Sequence, residues 1–207
     1  MKSEKTQRTK EHIIDESFKL FASKKYERVV VPDIEATTGL TRGSIFYHVR
    51  NKKDLFIQVI DKYVFDQLLF FIKRKMRIQK ETTLKGFLAS YIRSIEKEID
   101  FMHSLSITNV YKSYFFLIME ASLHYPHFDE KMQDLINISD RVWERIIRQA
   151  IINGEIKENT DIHHTVIRFR NCFIAMGLIK SLTLEELDIH ELTIYYSTTY
   201  NSLKKEA

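Results

Sequence analysis

Proline and glycine are scarce. In 207 residues Pro stands only at 32 and 126, and Gly only at 39, 43, 86, 154 and 177. Long stretches without residues that break or release the backbone favour helices over a turn-rich β architecture. Apolar residues also recur at helical spacing, as at Ile13, Ile14, Phe18, Phe21 and Ala22. The β-branched run "RVVV" is too short, and too close to Pro32, to make a strand. The chain is therefore expected to be all-α, and its 44% hydrophobic content suffices for a sizeable core.

The breakers and caps place the elements. Residues 1 to 7 read as an irregular basic arm, followed by a helix from Arg8 to Ala22. A short second helix opens at Pro32 and Asp33, where a missing N–H costs little and a carboxylate suits the helix start. Gly39 ends it. A third short helix spans about Arg42 to Val49, and Asn51 caps a fourth running to about Gln79. Five further helices are expected at about 82–102, 104–123, 128–152, 161–182 and 184–204. The separators are "HYPHF", "NGEIKENTD" and "SLT". This layout divides the chain at residue 52, into an N-terminal three-helix unit (1–52, including the arm) and a larger helical body (53–207).

Charge is unevenly placed. Residues 1 to 53 hold 12 Lys and Arg against 7 Asp and Glu, a net of +5, whereas the remaining residues hold 20 against 21. A basic segment on a near-neutral body points to a polyanion partner for that segment. Cys172 is the single cysteine, so one chain can build neither a disulfide nor a cysteine zinc site, which suits a reducing compartment. The N-terminus is polar and no run of 18 apolar residues occurs, so neither a secretory signal nor a membrane span is expected and the location is read as cytoplasmic.

The stretch "TGLTRGSIFYHV", residues 38–49, gathers a glycine turn, polar corners and a Tyr-His pair between apolar residues. Two short helices joined by such a turn form a helix-turn-helix, whose second helix presents its N-terminal residues to base edges in the major groove. Ile45 and Val49 share the inward face. Thr41, Arg42, Ser44, Tyr47 and His48 are left for bases and phosphates, and Gly43 leaves room for close backbone approach. Lys52 adds a cation in the first turn of the next helix.

Residues 13–56 resemble the DNA-binding domain of the TetR family of bacterial transcriptional regulators. The resemblance rests on Phe21, Tyr26, Asp33-Ile34, Gly39-Leu40-Thr41, Gly43, Ile45, Tyr47-His48, Lys52 and Leu55. Three places depart from the family pattern. Lys25 stands where glycine is frequent, Val29 to Val31 occupy a region that often holds Ser or Thr, and Glu35 replaces a small residue. Glu35 would repel phosphate, so it is expected to point away or to pair with a lysine.

The resemblance implies nine helices, a ligand cavity within helices four to seven, and a homodimer made by pairing the last two helices with their mates. Phe65, Tyr91, His103, Tyr111, Phe115, Met119 and Trp143 are the cavity candidates, as aromatic and Met side chains with a few polar tips suit a small molecule. Phe169, Phe173, Met176 and Gly177 on helix eight, with Leu192, Tyr195 and Thr199 on helix nine, are the dimer candidates. The expected function is a ligand-responsive repressor that binds a palindromic duplex operator as a homodimer and is released by a small molecule. The alternative is a helical interaction module with no specific DNA binding.

An enzyme is not expected. No glycine-rich phosphate loop, nucleophile elbow or zinc-protease helix occurs. His163 and His164 are adjacent and diverge on a helix. His124 and His127 flank Pro126 without a supporting carboxylate spacing, and Glu185-Glu186 reads as a helix-start charge pair. Neither cofactor nor resident metal is expected.

Overall fold

In the computed structural model the described residues are 2–76, 83–104, 107, 109–183 and 185–205. The helices are α1 (Lys2–Phe21), α2 (Val31–Thr38), α3 (Arg42–His48), α4 (Lys52–Ile60), α5 (Asp66–Met76), α6 (Leu84–Ser104), α7 (Val110–His124), α8 (Phe128–Ile152), α9 (Ile162–Thr183) and α10 (Ile189–Leu203). A 3-10 turn, Tyr26–Arg28, precedes α2, and a π-helical turn, Asp61–Phe65, joins α4 to α5. Counting the contiguous run 52–76 as one helix gives nine among the described residues. The all-α expectation holds, with the isolated bridge Ile156–Lys204 the one β-type pairing among those residues.

Four expected boundaries move. The arm at 1–7 is helical from Lys2, extended by helix-spaced bonds such as Gln7 to Glu11 at 2.9 Å. The fourth helix is broken in type by the π turn, and its expected end at Gln79 and the next start at 82 lie outside the described residues. Helix α7 begins at Val110 rather than 104, because the Asn109 side chain accepts the Lys112 N–H at 3.1 Å. Helix α10 begins at Ile189 rather than 184. Asp188 caps it through the N–H groups of His190 (2.7 Å) and Glu191 (3.2 Å), so Glu185-Glu186 is not a helix-start pair. Glu185 meets Lys180 instead, and Glu186 meets His103.

The chain forms two compact units, one of residues 1–68 with 113–132 and the other of 69–112 with 133–207. In the first, α1 packs on α2, α3 and α4. Its core holds Ile13, Phe18, Phe21, Ile34, Ile45, Leu55, Phe56 and Ile60, all with at most 1% exposure. Phe18 stacks on Tyr63 at 3.8 Å, and Phe21 meets Phe56 edge-on at 5.0 Å. Tyr63 also donates to Asp15, which pairs with Lys62.

In the second unit α10 packs on α6 and α9. Trp143 lies against Phe87, Tyr91 and Phe169, with Tyr196 behind Phe169. The Tyr196 hydroxyl is satisfied by the Phe169 carbonyl at 3.0 Å. Glu155, in the segment "NGEIKENTD", caps α6 by accepting the N–H groups of Leu84 (2.7 Å) and Lys85 (2.9 Å), and it also accepts the Tyr200 hydroxyl. Gly154 makes this possible by taking a positive φ of 67° directly after α8.

Candidate nucleic-acid interface

The turn between α2 and α3 needs Gly39, which sits at φ 68° and ends α2 with its N–H on the Glu35 carbonyl. Two residues later Thr41 caps α3, its hydroxyl accepting the Ser44 N–H at 3.4 Å. Glu35 does not pair with a lysine. Its carboxylate accepts the Arg42 N–H at 2.6 Å, so the acid is spent on a donor at the start of α3. A side chain of α2 thus satisfies a backbone donor at the start of α3.

The departures at 25 and 29–31 are accommodated without glycine or Ser/Thr. Lys25 takes φ −54° and needs no left-handed backbone. Val30 precedes α2 and has no side-chain acceptor, but Asp33 reaches back to the Val30 N–H at 3.1 Å. That N–H, joined by the Lys24 ammonium, holds the Asp33 carboxyl below its ordinary value.

Helix α3 divides cleanly into two faces. Ile45 (0% exposed) and Val49 (3%) close the core, whereas Tyr47 is 79% exposed. Thr41, Arg42 and Gly43 are exposed, and Ser44 and His48 are half-buried. The Tyr47 and His48 rings meet edge-on at 5.1 Å, and the Arg42 guanidinium lies 5.9 Å from the Phe46 ring centre. A Cβ built on Gly43 would meet nothing within 4 Å, so none of the described residues requires glycine there.

Lys52 is placed differently from the surface cation read in the sequence. Its ammonium donates to the carbonyls of Tyr26 and Val29, each at 2.9 Å, and sits 4.3 Å over the Tyr26 ring. It ties the 3-10 turn to the start of α4. Sequence spacing hides this, as the two carbonyls lie 26 and 23 positions away.

The cavity candidates fall in both units. Tyr91 and Trp143 touch at 5.2 Å, and Tyr91 and Tyr111 both meet Phe173 edge-on. Burial raises the Tyr91 and Tyr196 hydroxyls above the ordinary phenol value. His103 is 40% exposed and 3.3 Å from Glu186. Phe65, Phe115 and Met119 belong to the first unit: Phe65 packs on Tyr125 and Phe128, Phe115 on Tyr114, and Met119 is 63% exposed.

Of the dimer candidates, Phe169 and Leu192 are wholly buried and Gly177 is buried, all in their own chain's core. Phe173, Met176 and Thr199 are half-buried, and Tyr195 is 46% exposed. The apolar residues that α9 leaves exposed are Ile174, Leu178, Ile179 and Leu182, with Ile194 on α10. Arg170 pairs with Asp140 of the same chain.

Residues 13–59 match the family model of the bacterial regulatory proteins of the tetR family. The chain is 32% identical over 56 residues to the HTH-type transcriptional regulator AcrR of Shigella flexneri, which is 27% of this chain and 26% of that relative. The match thus spans only about a quarter of the curated relative's length. Fold likeness reaches much further. A TetR-family transcriptional regulator from Cytophaga hutchinsonii superposes with a TM-score of 0.69 at 19% identity, covering 98% of each chain. The SmeT–triclosan complex superposes with a TM-score of 0.70 at 19% identity, covering 97% of this chain and 93% of that one. Residues 13–59 are thus similar in sequence to the N-terminal domain of the tetR-family regulatory proteins, and nearly the whole chain shares the fold of solved TetR-family regulators.

Proposed function

We propose that the protein is a transcriptional repressor that binds a palindromic duplex operator as a homodimer and is released by a small molecule. The observation that carries the reading is α3. It buries Ile45, with Val49 just past its end, while leaving Thr41, Arg42, Gly43 and Tyr47 outward, and none of the described residues uses the space beside Gly43. Arg42 is placed to donate to guanine or phosphate, Thr41, Ser44 and His48 to bases or phosphates, and Tyr47 to phosphate. Lys52 contributes by holding the 3-10 turn, and it keeps one ammonium proton for phosphate. On this reading residues 1–52 are the DNA-binding domain and 53–207 the effector-binding and dimerisation body, working in the cytoplasm.

Dimerisation is supported by the exposed apolar residues of α9 and α10. Ile174, Leu178 and Leu182 follow one another at four-residue spacing, so they share a helix face. A two-fold pair of heads reads half-sites about 34–36 Å apart or a multiple of that, which makes the operator palindromic. A small-molecule effector is supported by the aromatic group Tyr91, Tyr111, Trp143 and Phe173, and by the fold shared with the triclosan-bound SmeT. To switch the protein fully, the effector must favour one form by about 5.5 kcal/mol. No helix among the described residues is long and apolar enough to cross a membrane.

Selection of random duplexes on the purified protein, followed by titration of the winners at two salt concentrations, tests the reading. An enriched palindrome whose affinity falls steeply with salt is expected, since phosphate contacts release counterions. Folded protein that enriches no sequence would refute it.

A further inference from the structure

The end of α7 brings together three side chains that the regulator reading leaves unused. Glu120 and His124 stand one turn apart on α7, and Glu27 comes from the 3-10 turn. The His124 Nε2 atom is 2.8 Å from a Glu27 oxygen and 4.0 Å from a Glu120 oxygen. One ligand atom from each of the three lies within 4.8 Å of the others. We propose that Glu27, Glu120 and His124 bind a divalent transition-metal ion.

Three features favour a cation here over a plain ion pair. The His124 Nε2 is buried and makes no hydrogen bond, although the Glu27 oxygen is at hydrogen-bond distance. That oxygen therefore lies beside the ring nitrogen's in-plane direction rather than along it. Two atoms that share a metal stand in that relation, because each points at the ion and not at the other. Second, the Glu120 side chain is only 10% exposed, yet among the described residues no lysine or arginine pairs with it or with Glu27. A buried carboxylate needs a counter-charge, and one divalent ion would balance both acids. Third, one imidazole nitrogen and two carboxylate oxygens are a donor set for zinc or manganese. Bonds of about 2.0–2.2 Å at tetrahedral angles separate ligand atoms by about 3.3–3.6 Å. The two measured separations from Nε2, 2.8 and 4.0 Å, straddle that range.

The surroundings hold the ligands in place. The Tyr26 N–H donates to Glu120 at 2.7 Å, and the His124 ring packs 4.5 Å from the Tyr26 ring and edge-on to Phe56. Tyr26 also carries the Lys52 ammonium. An ion would thus pin the 3-10 turn, the start of α4 and the end of α7 together. That it would thereby tune DNA affinity rests on the proposed function, whereas the site itself does not.

Tag-free, chelator-stripped full-length protein titrated with Zn²⁺ in a calorimeter tests the site. One equivalent per chain is expected, with affinity reduced at least tenfold in Glu27→Gln and in Glu120→Gln. Both variants keep an amide oxygen, and Glu120→Gln keeps the acceptor for the Tyr26 N–H, so both should fold. Absence of saturable binding by the wild type would overturn the site. So would unchanged affinity in both variants, which would assign the ion to surface groups such as His164 with Asp161. Duplex titrations with and without Zn²⁺ separate the two readings. One-equivalent Zn²⁺ binding by a protein that binds no DNA supports the site and removes the repressor.

Discussion

Gly43→Ala separates a glycine kept for the chain's own fold from one kept for an external surface. Glycine in a helix costs about 0.5–1 kcal/mol relative to alanine. A new Cβ at 43 meets no atom within 4 Å, and the residue does not have a positive φ. Because position 43 lies in the first turn of α3, the gain should fall at the lower end, about 0.5 kcal/mol. That corresponds to a Tm rise of about 1–2 °C for a chain of this size. The same methyl group would stand between the α3 backbone and a duplex. A tenfold loss of operator affinity is expected, about 1.4 kcal/mol. Thermal melting and fluorescence anisotropy on one protein preparation read both quantities. The signature is opposite signs, greater stability with weaker binding. A more stable variant with undiminished affinity would refute the close approach. A less stable variant would refute the claim that the space is open.

Tyr47→Ala, at a highly exposed site, should change stability by less than about 0.5 kcal/mol yet weaken duplex binding. Lys52→Ala should lose about 1–2 kcal/mol of stability as well, since two charge-assisted bonds to carbonyls are removed from a half-buried site; equal melting temperatures would contradict that role. Ile174→Glu combined with Leu182→Glu should turn a dimer into monomers in sedimentation velocity without unfolding the chain, and an unchanged dimer would move the interface elsewhere. Burial pushes the Cys172 thiol up to about 12. At pH 7 only about one molecule in 10⁵ then holds the thiolate, so the folded protein should react with a thiol reagent far more slowly than the urea-unfolded chain. Equal rates would show that the thiol is accessible.

What was legible in the sequence is local. Gly39 and Asn51 announce their turn and cap because the groups they satisfy lie within a few positions. Ile45 and Val49 show the inward face of α3 because one helical turn separates them. The sequence by itself therefore determined an all-α chain with a helix-turn-helix at its basic end. Only the tertiary structure decided which partner each long-range group finds. Glu35 was free to seek a lysine until the turn brought the Arg42 N–H to it. Lys52 reads as a surface cation until two carbonyls more than twenty positions away meet it. His124 reads in the sequence as a loop histidine without a carboxylate partner, whereas the fold sets it beside Glu120, one turn earlier, and beside Glu27, 97 positions before it in the chain. In helix α9 apolar residues occur on every side with polar ones among them, so periodicity could not tell its core face, with Phe169, from its exposed face, with Ile174 and Leu182. Helical periodicity and capping are properties of neighbours in sequence. Burial and long-range pairing depend on which surfaces the packed helices bring together.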